Sequence, residues 1–316
     1  MSIRFGLGLI ATVCVLLSTC LSSSRLLGAD PYVVVLGVAQ DAGYPQTGCR
    51  KECCASAWSD PTKRRHTVSL AAVDPDSDER WLFDCSPDFR DQLRMLDKIA
   101  PPKATPGLSG ILLTHAHMGH YSGLIHLGRE AIGAKRLPVF AMPRMKKFLS
   151  SSGPWSQLVS LENIVLRDLS DGKSIKLNER ISVTPFLVPH RDEFSETVGF
   201  RVQGPNHAVV YLPDIDKWER WETPIENIIR KCSVAYLDGT FYSNGELPGR
   251  DMSKIPHPFI VESIQRFVRL PAAERSKVRF IHFNHTNPAI DANSSAVERI
   301  RDAGHHAAQQ GERVGL

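Results

Sequence analysis

The sequence has few cysteines, and their number does not suit a disulfide-stabilised domain. Only seven occur among 316 residues, and two of them, Cys14 and Cys20, lie in an apolar segment near the N-terminus. The five that remain are an odd number, which argues against a complete disulfide framework. An apolar core is therefore expected to hold the fold, and a hydrophobic content of 42% with 23% charged residues is sufficient for one.

Long runs of one charge, internal repeats and low-complexity segments are also missing. The formal net charge is +4, but Lys and Arg are spread along the chain, with no basic arm and no Trp or Tyr interleaved among them. Proteins that bind nucleic acid usually present a basic patch or stripe. The sequence therefore predicts no nucleic-acid partner.

The first 29 residues differ in composition from the rest. Arg4 precedes seventeen mostly apolar residues (5–21), and small and polar residues follow, which is the layout of an export signal. We predict that residues 1–29 are a signal peptide or a membrane anchor, and that one domain follows at 30–316. The predicted location is periplasmic or extracellular. A retained anchor, lipid attachment at Cys20 and a misplaced start codon are the alternatives.

Ten β-branched or apolar runs predict strands in two groups, the first from YVVVLG to LPVFA and the second from ISVTPFLVP to VRFIHF. Helices are predicted between or after them, including GLIHLGREAIG, which Gly133 would stop, and a terminal helix SAVERIRDAG followed by a solvated tail with His305. The pattern is typical of an α/β fold, a four-layer αββα sandwich. A single doubly wound sheet is the alternative, because periodicity does not give strand order.

The hexapeptide HAHMGH (115–120) follows the apolar run ILLT. A strand that ends in His-x-His presents two imidazoles, His115 and His117, to one point, and His120 is near enough to join a neighbouring metal. Neutral imidazole is a common ligand of zinc and also suits iron. The sequence therefore predicts a metal site here. A dinuclear motif of the form HxHxDH would carry aspartate where this chain has Gly119.

Further candidates stand at the ends of other predicted strands: Asp84, His190, Asp214 and His282. With HAHMGH, their order resembles the metallo-β-lactamase superfamily over nearly all of residues 30–316. This resemblance implies that His115, His117 and His190 hold a first metal, that Asp214 bridges, and that His120 and His282 hold a second. Asp214, His120 and Asp84 are the candidate catalytic residues, with Asp84 bracing the ligand loop instead of binding metal.

Five segments, in this order, are similar to the coenzyme PQQ synthesis protein B branch of the superfamily: GYPQTGC, SPDFRDQL, VPHRDEFSETVGF, YLDGTFY and FIHFNHTNP. The branch does not determine the reaction. The resemblance does imply an aspartate at position 119, where glycine supplies no donor atom. We therefore expect one firm metal and a weaker second one, with His285 or Asp41 as a replacement ligand and with open space at Gly119 for a substrate or dioxygen.

Cys49, Cys53 and Cys54 lie within six residues in CRKECC. Three thiolates this close suit a structural zinc with a fourth ligand from elsewhere. The related branch has a three-cysteine zinc site here, with different spacing. Disulfide pairing is the alternative, and Cys85 or His66 are weak candidates for the fourth ligand. Cys232 is predicted to pack in the core.

Two residues outside these sets are ambiguous. A local hydrogen bond of a loop histidine is favoured for His257 over a role as proton donor. Asp238 in YLDGTFY is equally consistent with a turn before glycine and with a place near the site.

The leading interpretation is a metal-dependent hydrolase that uses metal-bound water on a small-molecule or peptide-derived substrate. One or two zinc ions at the histidines are expected, with iron as the alternative metal. A redox enzyme with iron, acting in PQQ-type cofactor biosynthesis, is the second interpretation. A metal-binding scaffold without activity is the third. Attachment to a membrane would occur through the N-terminus.

Overall fold

The structure is a computed structural model in which residues 1–3 and 29–316 are described. The predicted signal peptide or anchor lies almost entirely outside the described residues, and so do Cys14 and Cys20. In the part of the chain that is described, no helix has both the length and the hydrophobicity needed to cross a membrane.

Two seven-stranded sheets form the centre of the fold. The first contains β1 (Tyr32–Gly37), β2 (Ser69–Asp74), β3 (Glu79–Phe83), β4 (Gly110–Leu112), β5 (Leu137–Ala141), β6 (Ile164–Asp168) and β14 (Arg313–Gly315). The second contains β7 (Ile175–Lys176), β8 (Ser182–Leu187), β9 (Val198–Gln203), β10 (Ala208–Leu212), β11 (Val234–Asp238), β12 (Val278–Ile281) and β13 (His306–Ala307). Their orders are β14-β1-β2-β3-β4-β5-β6 and β13-β12-β11-β10-β9-β8-β7.

Nine α-helices join and cover these strands in the described residues: α1 (Glu52–Ser59), α2 (Phe89–Ile99), α3 (Met118–Tyr121), α4 (Pro143–Ser151), α5 (Trp155–Ser160), α6 (Ile225–Arg230), α7 (Ile260–Phe267), α8 (Ala272–Arg275) and α9 (Ser295–Asp302). Short 3-10 helices occur at Pro61–Lys63, Ser122–Leu127, Trp218–Arg220, Met252–Lys254 and Pro288–Ile290.

Alternation along the strands divides the apolar side chains between two cores, because successive residues of a strand point to opposite faces. In β1, Val33 and Val35 join the core between the sheets, while Val34 faces the helices of the first sheet. Phe83 of the first sheet packs edge-on against Phe200 of the second, with ring centroids 5.5 Å apart. The predicted αββα sandwich is confirmed, and the single doubly wound sheet is excluded.

Two local predictions were wrong. The segment after HAHMGH is a 3-10 helix, Ser122–Leu127, instead of a longer α-helix, because the backbone at Gly128 is extended (φ −66°, ψ 170°) and ends the helix there. The predicted tail is part of the fold. His305 is buried with its ring centroid 5.8 Å from that of Phe267, and two strands too short to show periodicity follow.

Both sheets contain a parallel half, β3 to β6 in one and β10 to β13 in the other. Parallel strands end at the same edge of a sheet, which is where ligands bind in open α/β sheets. The polar side chains that follow β3, β4, β10, β11 and β12 therefore meet at one edge of the sandwich.

Candidate metal centre

Four predicted ligands from three strand ends meet at this edge: His115, His117, His190 and Asp214. One candidate ligand atom of each lies within 4.8 Å of the others. The Nε2 atoms of His115 and His190 are each 3.3 Å from an oxygen of Asp214. His117 faces the same carboxylate with Nδ1, at 3.9 Å.

The polar atoms of this group fit a metal ion. His115 Nε2, His190 Nε2 and Asp214 Oδ1 are buried without a hydrogen-bond partner among the described residues. Buried polar atoms are nearly always paired, so three such atoms that face one another indicate a ligand. Atoms that bind a tetrahedral zinc at about 2.0–2.2 Å are about 3.4 Å apart, close to the 3.3 Å separations found here.

Hydrogen bonds at the other ring nitrogens orient these imidazoles. The hydroxyl of Thr114 donates to Asp84 and can therefore accept from Nδ1 of His115, 2.9 Å away. Nδ1 of His190 lies 3.2 Å from Oδ1 of Asp216. Since a carboxylate only accepts, Nδ1 of His190 carries the proton, and the lone pair of the neutral ring is at Nε2, which faces the centre.

A second set lies beside the first and consists of Asp41, His120 and His282. Nε2 of His120 is 3.7 Å from Asp41 Oδ1 and 3.6 Å from Asp214 Oδ2. Nε2 of His282 is 3.9 Å from the same oxygen of Asp214. His120 Nε2, His282 Nε2 and Asp41 Oδ1 are buried and lack hydrogen-bond partners in the described structure. Asp214 thus stands between both sets.

Hydrogen-bond partners at the Nδ1 atoms orient the histidines of the second set. Nδ1 of His120 lies 2.7 Å from Asp84 Oδ2. Nδ1 of His282 lies 2.9 Å from the hydroxyl of Thr240, which donates to Asp238. Asp84 and His282 have φ angles of 65° and 69°. Such backbone strain in residues other than glycine is concentrated at functional sites.

Burial and charge set the protonation of these histidines in opposite directions. Burial, together with the neighbouring His120, lowers the pKa of His115 well below its ordinary value. Burial also lowers the pKa of His282. Burial alone would lower the pKa of His120, but the surrounding carboxylates, above all Asp84, raise it to about 9. His115 and His282 are therefore neutral at pH 7, whereas His120 must release a proton to bind a metal.

His257 was assigned a local hydrogen bond from the sequence, but the structure places it at the site. Its Nδ1 lies 2.8 Å from Asp238 Oδ2 and 3.2 Å from Asp214 Oδ1. Asp238 also accepts a hydrogen bond from the backbone N–H of Ile215, beside Asp214. Asp238 therefore supports the site instead of forming only a turn.

The cysteine cluster contains Cys49, Cys53, Cys54 and a histidine from a distant loop, His285, with one candidate ligand atom of each within 4.8 Å of the others. All five cysteines of the described residues are free, and Cys49 Sγ is 3.8 Å from Cys53 Sγ. Burial raises the pKa of the Cys54 thiol to about 12, so a cation is needed to stabilise its thiolate at neutral pH.

Three residues weighed for other ligand positions are placed elsewhere. Cys85 is buried in the core of the first sheet, and Nδ1 of His66 faces the carbonyl of Leu36. His285 was considered as a ligand of the second set but lies at the cysteine cluster. Asp41 follows the first apolar run closely and was named only as one of two possible replacement ligands, while the loop residue His257 has no second histidine beside it that would indicate a metal site.

Comparison with known proteins agrees with this architecture. A sequence model of the beta-lactamase superfamily domain matches residues 79–283, more than half of the chain. Coenzyme PQQ synthesis protein B of Methylobacterium nodulans is 27% identical over 303 residues, which cover 86% of this chain and 95% of that protein. The corresponding protein of Xanthomonas campestris pv. campestris is 25% identical, with 90% and 99% covered.

Solved structures show the same fold. The crystal structure of Zn²⁺-bound PqqB from Methylobacterium extorquens superposes with a TM-score of 0.76 at 22% identity, covering 90% of this chain and all of that one. A diphosphatase of the PhnP family gives a TM-score of 0.65 at 21% identity, with 91% and 98% covered. The chain therefore belongs to the metallo-β-lactamase superfamily, in which it is similar to the coenzyme PQQ synthesis protein B branch.

Proposed function

We propose that the protein is a metal-dependent hydrolase that acts on a small-molecule or peptide-derived substrate. One observation carries the proposal: six buried ligand atoms without hydrogen-bond partners in the described structure lie together, five from the two sets and one from the carboxylate of Asp214 between them. Such a cluster of imidazoles and carboxylates is costly to leave unpaired in the interior, and it fits one or two divalent ions, with zinc as the proposed metal.

The carboxylate of Asp214 is placed to bind a metal ion in each of the two sets. Asp214 has one oxygen 3.3 Å from His190 Nε2 and the other 3.3 Å from His115 Nε2 and 3.6 Å from His120 Nε2, so its carboxylate can serve both sets. Divalent ions bound there would lower the pKa of water toward about 7 and polarise an oxygen of the substrate.

His257 is suited to hold a proton beside the centre. Burial lowers its pKa, but Asp238 and Asp214 outweigh burial and raise it to about 9. Both carboxylates lie at Nδ1, which leaves Nε2 for a substrate. In the proposed reaction, His257 gives its proton to the leaving group. Asp84 is completely buried below the ligands, so it positions His120 and does not touch the substrate.

A second candidate is an iron enzyme of PQQ-type cofactor synthesis that consumes dioxygen. The observation that favours it is the second set itself, since two histidines and one carboxylate are the ligands of many non-haem iron oxygenases. The names of the relatives agree with such a pathway.

Export through residues 1–29, membrane attachment and the absence of a nucleic-acid partner stay predictions.

The test compares the protein loaded separately with Zn²⁺, Mn²⁺ and Fe²⁺ on a panel of carboxylic esters, lactams and phosphodiesters, with dioxygen uptake measured in parallel. Hydrolysis with Zn²⁺ or Mn²⁺ that is lost in His190→Ala supports the proposal. Oxygen uptake with iron alone, without hydrolysis, would favour the second candidate. Bound metal without any turnover would favour the metal-binding scaffold.

A further inference from the structure

The space beside Gly119 is filled, not open. A Cβ atom added at position 119 would lie 2.2 Å from Oδ1, 2.6 Å from Cα and 3.0 Å from Cγ of Asp41. Real Cβ atoms do not approach other atoms this closely, and the backbone atom cannot move aside as a flexible side chain can. The expectation that Gly119 leaves room for a substrate or dioxygen is therefore wrong, because Asp41 occupies this place.

Backbone pairing between the two sheets brings Asp41 there. After β1, the N–H of Gln40 donates to the carbonyl of Phe283, and the N–H of Phe283 donates to the carbonyl of Val38, both at 2.8 Å. Phe283 directly follows the candidate ligand His282. The loop that begins at Asp41 is thus anchored beside the end of β12, which explains why a residue so distant in sequence reaches the second set.

The atoms of Asp41 are arranged for an ion and not for a simple ion pair. Its Oδ1 is buried and has no hydrogen-bond partner in the described structure, although the side chain as a whole is 36% exposed. Oδ1 lies 3.7 Å from Nε2 of His120, which is beyond hydrogen-bonding distance but close to the spacing of two ligands of one ion. The Nε2 atoms of His120 and His282 are fully buried and also unpaired.

We propose that Asp41 supplies the carboxylate of the second metal site, and that it takes the role that the HxHxDH pattern gives to an aspartate at position 119. Glycine at 119 is then a steric requirement of the aspartate at 41, since the two side chains cannot occupy this space together. The inference rests on the metal centre of the proposed function but not on the reaction or the substrate. Instead of a weakly bound second ion, the inference predicts a second site with three protein ligands of its own and the shared Asp214.

This role of Asp41 is tested by metal binding, independently of turnover. Native mass spectrometry would count bound Zn²⁺, and competition with a chromogenic chelator would give each affinity. The variants are Asp41→Asn, Asp41→Gly, Gly119→Ala, Gly119→Asp and the double variant Asp41→Gly with Gly119→Asp. Gly315→Ala is the control, because a Cβ at position 315 meets no atom within 4 Å. Circular dichroism and thermal unfolding would establish that each variant folds.

We expect Asp41→Asn to lower the affinity for one of the zinc ions. The loss should exceed about 10–100-fold, which is typical of replacing a residue that only hydrogen-bonds to a ligand. Gly119→Ala should weaken the same ion by displacing Asp41, although it removes no donor atom. The double variant should bind that ion more tightly than either Asp41→Gly or Gly119→Asp alone. Gly315→Ala should match the unmodified protein.

Three results would overturn the inference. In the first, Asp41→Asn binds the same number of ions at unchanged affinity. In the second, the double variant binds the second ion no more tightly than both single variants. Either result leaves the proposed hydrolase intact. If the unmodified protein held no ion beyond the one at the cysteine cluster, the inference and the proposed function would fail together.

Discussion

Asp84 Oδ2 lies 2.7 Å from His120 Nδ1, and both side chains are completely buried. The same carboxylate accepts hydrogen bonds from the backbone N–H and hydroxyl of Thr114 and from the hydroxyl of Tyr211. An isolated buried charge is costly, but this one is compensated by three neutral donors and an imidazole. Asp84 therefore fixes both the orientation and the charge of His120.

Replacing Asp84 with asparagine should weaken the ion at His120 by about 10–100-fold, because Nδ1–H of this ligand loses its charged acceptor. Chelator competition measures the affinity. Tyr211→Phe is the matched control, since it removes one hydroxyl donor to the same carboxylate and is expected to cost about 1.5–3 kcal/mol of folding stability while the acceptor of His120 remains. Equal zinc affinities of Asp84→Asn and the unmodified protein would contradict this role.

Metal binding by the second set should depend on pH. With a pKa of about 9, His120 is protonated at pH 7 in the metal-free protein, and an ion must displace this proton. The affinity should therefore rise about tenfold per pH unit up to the pKa and level off above it. Titrations between about pH 6.5 and about pH 8.5 measure the slope. In Asp84→Asn the pKa of His120 falls, so a slope as steep as in the unmodified protein would refute the assignment.

His257→Gln should reduce turnover while metal content stays unchanged. General acid catalysis typically contributes about 10²–10⁴-fold, and we expect a loss in this range. His126→Gln is the control, because His126 stacks on Phe89, with ring centroids 5.9 Å apart, and belongs to none of the candidate sets. Loss of bound zinc in His257→Gln would show that His257 is a ligand instead of a proton donor.

Cys53→Ser and His285→Ala should each remove the ion of the cysteine cluster and lower the melting temperature, since the binding energy of a structural ion stabilises the fold. Ions at the histidines should remain. Cys232→Ser is the control, as Cys232 is buried and its thiol donates to the carbonyl of Ile229. If His285→Ala retains the ion while Cys53→Ser loses it, a residue other than His285 completes the site.

Residues that follow strands were predictable from the sequence. Asp84, His115, Asp214 and His282 each come after an apolar run, and the parallel halves of the sheets bring them to one edge. His190 also follows an apolar run, and it reaches the same edge because β8 and β10 are both antiparallel to β9 between them. Their order along the chain also carried the resemblance to the superfamily. The three clustered cysteines were also predictable, because they are neighbours in the sequence.

The sequence by itself therefore determined most of the strand pattern and the histidines and aspartates at strand ends, because local periodicity and short spacings encode them. The choice between the αββα sandwich and a single doubly wound sheet required the strand order, which the tertiary structure supplied. Only the tertiary structure decided which loop residues complete each set. Asp41 reaches His120 through backbone pairing at Phe283, and His285 reaches the cysteines across more than two hundred residues. Such contacts depend on how two sheets pack, and packing brings together residues between which the chain carries no local pattern.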